Sequence, residues 1–533
     1  MSTRRISAKG RWRYGPLLLA GCLCLVASAR EVPITILQTT DIHGNLRPTR
    51  SYEGGEVRGG LLRCATLIRD IRRDARNVLL VDSGDLWVGS LESDLTRGQV
   101  VQKAVAWLGY DAWVPGNHDF DWGYERFRRL VAEAPMPVVA ANISTLIGRE
   151  AQAAAGIQPF IIREVDGVRV ALIGLTTPGI PTWLLPEDIG PFAFERSIPA
   201  LRRTLRQVRQ EGADITLLLV HQGVKPFTDD EANELYRIAT TFPELDLILG
   251  GHTHRAMTVD KLRREAPYLQ AGYHAQTLGR ADLVYDTVQR TLISVQLTMI
   301  PVELTLKPPA ELVAKVREDL EATEQKAAEV VGCTELPIVC SYKAPGQCSG
   351  QQVLARAIGD ATGAEIVFHG VLSEETIEAG PIRYGDIWRI VPYENRIGLL
   401  SLTPAEITDL LEQNSEYMDS PSFQGIFGLC YDWDPNARSG ARISNLRLPD
   451  GTKLHGRKRY RVAVNSYVLA SGGLKFPQLV EYRRRPNARY RLTSVDTRLA
   501  LLRYFKRFKS LRIPEGNEVR IAAPPGRRAR RRK

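Results

Sequence analysis

The sequence predicts a two-domain protein: an N-terminal α/β sandwich, a linking helix and a C-terminal α+β domain. A chain of 533 residues is longer than one hydrophobic core usually organises. From Pro33 to about Pro301, short apolar runs alternate with amphipathic or turn-rich segments. A charged segment with helical spacing then separates this pattern from the rest of the chain, so at least two domains are expected.

The N-terminal domain is predicted to contain strands that are covered on both faces, because several of its apolar runs are nearly continuous. The predicted strands are Ile34–Gln38, Val78–Val81, Val138–Ala140, Val168–Gly174, Ile215–Val220 and Leu245–Leu249. Helices are predicted at Gly60–Arg76 and Ile198–Glu211. In the second, Leu201, Leu205 and Val208 form one apolar stripe.

A helix is predicted to link the two domains. Pro308 and Pro309 precede the segment Ala310–Val331, and proline is favourable at a helix start. Leu312 and Val316 have helical spacing within it. The expected division of the chain is 1–29 for a signal peptide, 30–306 for the N-terminal domain, 307–332 for the linking helix, 333–520 for the C-terminal domain and 521–533 for a basic tail.

The positive charge of the chain is confined to its two ends. The formal net charge is +11, with five basic side chains before position 30 and six after position 526. Residues 30–526 are therefore formally neutral, and this body offers no net positive field to a nucleic-acid backbone. The sequence therefore disfavours nucleic acid as a partner.

The first 29 residues have the pattern of an export signal. Basic residues precede the apolar run Pro16–Val26, and Ala27–Ala29 supplies small residues for cleavage. The run is too short to cross a bilayer, and no later segment is a candidate membrane span. We expect a periplasmic or extracellular protein. Leu19–Cys22 resembles a lipoprotein cleavage box, so lipoprotein anchoring is the alternative to a cleaved soluble form.

Five cysteines follow the signal: Cys64, Cys333, Cys340, Cys348 and Cys430. An oxidising compartment permits a disulfide, and the three cysteines at positions 333–348 are the cluster in which one is expected. The odd number leaves at least one free thiol. None of these cysteines has a close metal-ligand spacing, so cysteine is not expected to carry the chemistry.

Five polar segments follow predicted strands in the N-terminal domain, and this is where α/β folds build their sites. The segments are Thr40–Asn45, Asp82–Asp85, Gly116–Asp121, His221–Gly223 and Gly250–His254. Together they contain imidazoles, carboxylates and an amide, which are the ligands that a pair of divalent cations needs. The candidate ligands are Asp41, His43, Asp85, Asn117, His221, His252 and His254.

Each segment taken alone has a simpler explanation as a turn, a cap or a surface histidine. Five of the eight histidines of the chain, however, fall within these segments. The one-residue spacing of Asp41 and His43, and of His252 and His254, directs both side chains of each pair to one face of an extended segment. The combined pattern favours a centre for two divalent metal ions, such as Zn, Mn or Co.

The same segments resemble the metallophosphoesterase pattern D-x-H, G-D, G-N-H-D/E, H and G-H-x-H. The form Gly116–Gly123, which reads GNHDFDWG, is similar to the 5′-nucleotidase and UDP-sugar hydrolase family. The resemblance covers nearly all of the chain after the signal. It implies a four-layer α/β/β/α catalytic domain at 30–306 and a substrate-specificity domain at the C-terminus.

Carried over by position, the resemblance implies that one metal is held by Asp41, His43, Asp85 and His254. It implies that Asp85 bridges to a second metal held by Asn117, His221 and His252. His118, polarised by Asp121, is implied to be catalytic rather than a ligand. Such a centre polarises a phosphoryl group and activates water for direct attack, without a covalent intermediate.

Two motifs of the C-terminal domain resemble the family's aromatic slot for a nucleobase. The segment Val391–Asn395 places Tyr393 in the first ring position, and Ala470–Phe476 places Phe476 in the second. The family's N-G-G-x-x-R motif, however, is represented by His369 to Glu374 here. We therefore expect base stacking to be retained better than recognition of neighbouring anionic groups.

The function expected from these observations is hydrolysis of nucleotide phosphoesters, of the 5′-nucleotidase, cyclic phosphodiesterase or UDP-sugar hydrolase type. One alternative is an atypical hydrolase with a non-nucleotide substrate on the same metal core. Another is a non-catalytic binding protein on this scaffold, although loss of catalysis normally erodes ligands and all seven are present.

Overall fold

The computed structural model describes residues 30–521, except positions 52–53, 149, 226–227, 342–347, 419, 515 and 517–518. The predicted export signal and nearly all of the basic tail lie outside the described residues. No helix in the described part of the chain combines the length and apolarity needed to cross a membrane.

The N-terminal domain is built on two sheets of mostly apolar strands. The first has seven strands in the spatial order Thr291–Pro301, Thr277–Asp286, Glu31–Thr39, Val78–Asp82, Ala112–Trp113, Val138–Val139 and Ile157–Gln158. The second has six in the order Phe160–Val165, Val168–Leu175, Ile215–Val220, Leu247–Leu249, Tyr268–Ala271 and Ala256–Val259.

Alternation along single strands explains why the two sheets stack. In the strand Ile215–Val220, Leu217 and Leu219 enter the core between the sheets, whereas Leu218 and Val220 pack under the outer helices. The helices of this domain are Leu61–Asp74, Leu91–Leu95, Gln99–Leu108, Tyr124–Glu133, Pro186–Ile189, Ser197–Gln210 and Leu235–Thr241. The predicted α/β/β/α layering is confirmed.

Smaller strands complete this domain at its surface. A three-stranded sheet has the order Phe192–Phe194, Ile143–Ile147 and Glu150–Ala153, and Thr49–Arg50 pairs with Val57–Arg58. The predicted long strands and both predicted helices are observed within one to three residues of their expected ends. Such shifts fall at element ends, where sequence patterns are least specific.

The segment predicted as the linking helix forms Ala310–Ala328. Its Leu312 and Val316 are fully buried in the core of the N-terminal domain. Lys103 also binds Asp319 at 2.6 Å, across the surface of that domain. This helix therefore packs into the N-terminal core, and its C-terminal end also contacts the C-terminal domain, where the Lys326 ammonium lies 5.0 Å from the Tyr384 ring centroid.

The C-terminal domain is α+β, with apolar cores on both faces of a five-stranded sheet. The sheet has the order Ile426–Phe427, Ile366–Phe368, Tyr460–Asn465, Arg396–Leu402 and Arg491–Asp496. A three-stranded sheet has the order Ile443–Arg447, Cys430–Trp433 and Val519–Ile521. Two further sheets have two strands each: Val330–Thr334 pairs with Gly380–Arg383, and Ile338–Val339 pairs with Thr376–Ile377. The helices are Ser349–Thr362, Tyr384–Ile390, Pro404–Asn414, Ser466–Leu469, Pro477–Arg484 and Thr497–Arg507.

The five cysteines after position 30 are free thiols in this structure. Cys340 and Cys348 are buried, and Cys348 caps the helix Ser349–Thr362, where its Sγ accepts a hydrogen bond from the Gln351 backbone N–H. The disulfide considered for the cluster at 333–348 is therefore not formed among the described residues.

Candidate metal centre and its cavity

The predicted ligands lie where the ends of parallel strands from both sheets meet. Asp41, His43 and Asp85 follow two neighbouring strands of the first sheet, Glu31–Thr39 and Val78–Asp82. His221, His252 and His254 follow two neighbouring strands of the second sheet, Ile215–Val220 and Leu247–Leu249. Gln38 joins the two ends, since its side-chain amide donates to the Ser83 hydroxyl and to the Gly250 carbonyl.

The structure brings Asp41, His43, Asp85 and His254 into one group, with ligand atoms that all lie within 4.8 Å of one another. The Nε2 atoms of His43 and His254 are 3.0 Å apart, and Nε2 of His254 is 3.3 Å from Oδ1 of Asp41. Ligand bonds to zinc are about 2.0–2.2 Å, so donor atoms this close can share one cation.

A second group contains Asp85 again, together with His221 and His252. Nε2 of His221 lies 3.1 Å from Oδ2 of Asp85 and 3.3 Å from Oδ1 of Asn117. The amide oxygen of Asn117 is thus beside this group. The two groups share Asp85, which is only 1% exposed, and each has both nitrogen and oxygen donors.

Backbone carbonyls fix the orientation of two of the imidazoles. Nδ1 of His43 is 2.9 Å from the Val88 carbonyl oxygen, and Nδ1 of His221 is 2.7 Å from the Ser83 carbonyl oxygen. Donation from Nδ1 leaves Nε2 as the nitrogen with a lone pair directed into the cluster. This arrangement is typical of metal-binding histidines.

The electrostatics of the cluster differ from one group to another. Burial lowers the pKa of His221, but Asp85 and Asp41 outweigh burial and raise it to about 9. Burial lowers the pKa of His43 to about 4, so its imidazole is neutral at pH 7. Burial opposes ionisation of Asp85, but His221 and His118 outweigh it and hold the pKa of Asp85 well below its usual value. Neutral imidazoles and ionised carboxylates are the forms that bind divalent cations.

His118 lies beside the cluster but belongs to neither group of candidate ligands. His118 begins the short helical turn His118–Phe120, and Asp121 directly follows that turn. Nδ1 of His118 is 2.7 Å from Oδ2 of Asp121. Burial lowers the pKa of His118, but Asp121 and Asp85 outweigh burial and raise it to about 10. His118 therefore carries a proton on Nε2 near the candidate metal positions.

Five of the seven candidate ligands have backbone conformations that L-amino acids rarely adopt. Their φ angles are positive, between 50° and 72°, at Asp41, His43, Asp85, His252 and His254. Each such residue costs about 1–2 kcal/mol relative to ordinary backbone. Outliers of this kind cluster at sites where function, rather than stability, determines the conformation.

A cavity of about 970 Å³ opens above the centre, between the two domains. Asn117, His118 and His252 line it from the N-terminal domain, and Tyr393 lines it from the C-terminal domain. The ring of Tyr393 stacks on His118, with centroids 5.3 Å apart and planes at 19°. Tyr393 therefore lies where a leaving group bound next to His118 would contact it.

The second predicted ring, Phe476, is not part of the cavity wall. It is only 1% exposed and packs against Phe368 and Tyr417. The reason is the preceding loop: the Gly473 N–H and the Ser471 hydroxyl both donate to the Thr182 carbonyl at 3.0 Å. The aromatic residue that lines the cavity from this region is Tyr467.

The two departures noted in the C-terminal domain also lie outside the cavity wall. His369 is fully buried, and its Nε2 is 3.1 Å from the Thr497 hydroxyl, so it supports the fold. Glu374 is exposed to solvent. The residues of this motif that line the cavity are Val371 and Leu372, so the motif presents an apolar surface there.

Comparisons with known proteins agree with this architecture. Residues 34–256 match the family model for calcineurin-like phosphoesterases, and residues 330–481 match the model for the 5′-nucleotidase C-terminal domain. The chain belongs to the 5′-nucleotidase family of metallophosphoesterases. It accordingly has the catalytic domain of a phosphoester hydrolase family that binds divalent metal ions, and its fold class is as predicted.

Individual relatives of this family member are distant. It is 26% identical to the trifunctional nucleotide phosphoesterase protein YfkN of Bacillus subtilis over 82% of this chain, but it spans only 32% of that longer protein. It is 25% identical to the snake venom 5′-nucleotidase of Gloydius brevicauda, over 88% of each chain. The 5′-nucleotidase precursor of Thermus thermophilus has the same fold, with a TM-score of 0.70, 20% identity and coverage of 93% and 100%.

Sequence reasoning missed several residues that support this nucleotidase-family site. Asp119 is buried and accepts hydrogen bonds from the backbone N–H groups of Asp85, Trp87 and Gly116, which ties two ligand loops together. His274 follows the strand Tyr268–Ala271, and its ring lies 5.9 Å from that of His43. Its position after a strand end was the signal that could have identified it.

Proposed function

We propose that the chain is an exported phosphohydrolase that uses two divalent metal ions and activated water to cleave phosphate esters of nucleotides. The observation that carries this proposal is the pair of ligand groups that share the buried Asp85. A carboxylate common to both groups is suited to hold two cations close enough to act on one phosphoryl group. The metal identities are left open among Zn, Mn, Co and similar ions.

In this proposal Asp41, His43, Asp85 and His254 would hold one ion, and Asp85, Asn117, His221 and His252 the other. The fit rests on donor chemistry: imidazole nitrogens and carboxylate oxygens converge within 4.8 Å in each group. Bound divalent cations supply Lewis-acid polarisation of the phosphoryl oxygens and make water acidic enough to attack at neutral pH.

The protein side chains supply charge stabilisation and orientation. His118 carries protons on both ring nitrogens, because Asp121 and Asp85 raise its pKa to about 10; Nδ1 donates to Asp121, which leaves the Nε2 proton free for substrate. It would donate to a phosphoryl oxygen as negative charge develops there, which is the role of a preorganised donor. Tyr393 would contact the leaving group, since it stacks on His118 and lines the cavity.

Nucleotides are the proposed substrates because the named relatives are nucleotide phosphoesterases and 5′-nucleotidases. A purine or pyrimidine would enter the cavity between the aromatic side chains of Tyr393 and Tyr467, which come from the C-terminal domain. Every nucleobase has a π-face, so such contacts tolerate different bases. The proposal has three variants, which differ in the substrate cleaved: a 5′-monophosphate, a cyclic phosphate or a UDP-sugar.

Export is proposed from the basic and apolar pattern of residues 1–29. Relatives whose names place them in a venom and in a cell wall are consistent with it. Fractionation of cells that express the full chain tests this point, and labelling at Cys22 with a lipid precursor separates a lipoprotein from a cleaved soluble form. A cytosolic, uncleaved chain would contradict the proposal.

The activity is tested by phosphate release from a panel of phosphoesters by the purified protein. The panel contains AMP, a 2′,3′-cyclic nucleotide, a UDP-sugar and a simple aryl phosphate. Each is assayed after chelation and after addition of Zn²⁺, Mn²⁺ or Co²⁺. The expected result is release that is lost on chelation and restored by at least one metal. Release that is insensitive to chelation would refute the proposed chemistry.

A further inference from the structure

The part of the cavity wall away from the candidate metal centre has its positive charges neutralised. Three guanidinium groups line the cavity, those of Arg97, Arg126 and Arg396. Each has a carboxylate partner. The wall as a whole contains five carboxylates against these three guanidiniums and His118, which pairs with Asp121. A second anionic group on a substrate would therefore meet a surface with no surplus of positive charge.

Arg396 is the guanidinium closest in sequence to the Tyr393 ring. Its Nη2 donates to Oδ1 of Asp188, which belongs to the short helix Pro186–Ile189 of the other domain. The Asp188 side chain is 12% exposed, whereas that of Arg396 is 38% exposed. Arg396 thus faces the cavity, but a carboxylate from across the domain boundary already occupies it.

Arg97 and Arg126 are engaged in a similar way. Nη1 of Arg97 lies 3.4 Å from Asp94 and 3.5 Å from Glu394, a second carboxylate of the cavity wall. Arg126 donates to the Arg97 carbonyl and lies 3.2 Å from Glu133. A ligand anion would therefore meet guanidinium groups whose charge nearby carboxylates already offset.

Other features of the wall suit an uncharged or cationic group. Trp183 and Tyr467 add aromatic faces, and such faces attract cations as well as flat uncharged rings. Glu187 adds a carboxylate that is exposed at the edge of the cavity. Lys475 does not line the cavity; its ammonium lies 3.5 Å from the Tyr467 hydroxyl.

We propose that this wall makes the enzyme selective for phosphomonoesters whose leaving group is uncharged or cationic, and that Asp188 enforces this by neutralising Arg396. Esters with a second anionic group on the leaving side, such as nucleoside diphosphates and sugar nucleotides, are disfavoured. Unfavourable charge placement is an efficient source of discrimination between similar ligands. This inference rests on the proposed phosphohydrolase function and narrows its substrate class.

The test uses three aryl phosphates that differ only in the para substituent: methyl, aminomethyl and carboxymethyl. The metal-loaded enzyme should have a kcat/KM for the carboxymethyl ester at least about fivefold below that for the methyl ester, since nearby charges interact by about 1 kcal/mol or more. The kcat/KM for the aminomethyl ester should equal or exceed that for the methyl ester. A carboxymethyl ester hydrolysed as well as the methyl ester would overturn the proposal.

Asp188→Asn identifies the residue responsible. It leaves Arg396 without its carboxylate, so the ratio of kcat/KM for the carboxymethyl ester to that for the methyl ester should rise about fivefold or more. Arg396→Gln should lower the same ratio below the wild-type value. Glu244→Gln is the matched control. It removes the carboxylate of a comparable ion pair, Arg209–Glu244, which lies outside the cavity, and should leave the ratio unchanged.

Further outcomes are also decisive. An unchanged ratio in folded Asp188→Asn and Arg396→Gln, checked by thermal melting, would overturn the role of this pair. A wild-type preference for the carboxymethyl ester that Lys475→Gln removes would place an anion site at Lys475 instead. If no ester is hydrolysed with any metal, the proposed function fails. The preference of the cavity for uncharged, cationic or anionic groups is then measured as Kd values of benzylphosphonates with the same three para substituents, bound to the same metal-loaded protein.

Discussion

The ligand residues themselves show how the site departs from ordinary backbone geometry. Asp41, His43, Asp85, His252 and His254 all have positive φ. Apart from glycine, asparagine is among the residues that adopt this conformation most readily, because its short polar side chain can hydrogen-bond locally. The protein therefore accepts local strain at these positions in order to direct side chains from two sheets at a common point.

Replacement of His254 by Asn should separate strain from metal binding. With a chelator present, His254→Asn should raise Tm by about 1–3 °C, because it relieves up to about 1 kcal/mol of backbone strain. In excess metal, His254→Asn should have a lower Tm than the wild type, since it has lost a metal ligand. Differential scanning calorimetry with and without chelator measures both. His455→Asn, at an exposed histidine without positive φ, is the control; a lower Tm for His254→Asn in chelator would contradict the strain argument.

Variants of Asp85 and His118 should lose activity for different reasons. Asp85→Ala should abolish activity and bound metal together, because Asp85 belongs to both ligand groups. His118→Ala should keep the metal and lower kcat by about 10²-fold or more, because it removes a positioned donor. Metal analysis of the purified variants, alongside phosphate release, gives the comparison. Loss of metal from His118→Ala would show that a ligand has been taken for a catalytic residue.

At the scale of single elements, one buried arginine determines where the Tyr393 loop lies. Arg498, in the helix Thr497–Arg507, donates from Nε to the Val391 carbonyl at 2.8 Å and from Nη2 to the Pro392 carbonyl at 2.7 Å. Its guanidinium also stacks on Trp388, 3.3 Å from the ring centroid. The planar fork of arginine is needed for this combination, so lysine is not an equivalent substitute.

Arg498→Lys should therefore act on substrates with aromatic leaving groups. KM for an aryl phosphate should rise up to about tenfold, because a charge-assisted contact that positions the loop is lost. KM for glycerol phosphate, which has no ring to contact Tyr393, should change much less. Steady-state kinetics on both esters measures the difference. Arg503→Lys, at an exposed position of the same helix, is the control; equal effects on both esters would argue for a general structural role.

At the scale of the whole molecule, the linking helix belongs to the N-terminal core. A fragment of residues 30–329 retains all candidate ligands and the helix, whereas residues 30–306 lack Leu312 and Val316. Burial of such side chains contributes about 1.5–3 kcal/mol each. We expect the longer fragment to bind metal and melt at a clearly higher temperature than the shorter one, as measured by calorimetry with metal present. Equal melting temperatures would show that the helix contributes little.

Most of the N-terminal domain and its candidate ligands could be predicted from the sequence, because both depend on local patterns. An apolar run marks a buried strand, and polar residues directly after it mark the strand end. The cavity wall could not be predicted in this way. The Asp188–Arg396 pair joins residues 208 positions apart, and Phe476 is turned into the core by contacts of its loop with Thr182. Such placements depend on how the two domains dock.

The order of strands in the first sheet also has a consequence for biosynthesis. Glu31–Thr39 lies between Val78–Asp82 and Thr277–Asp286, and its antiparallel partner is about 250 residues further along the chain. At about 5–20 residues per second, translation would deliver that partner about 10–50 s after the first strand has emerged. An apolar strand with one open edge is prone to wrong pairing during this interval. Nascent chains of this protein should therefore depend on chaperones that bind early and release late.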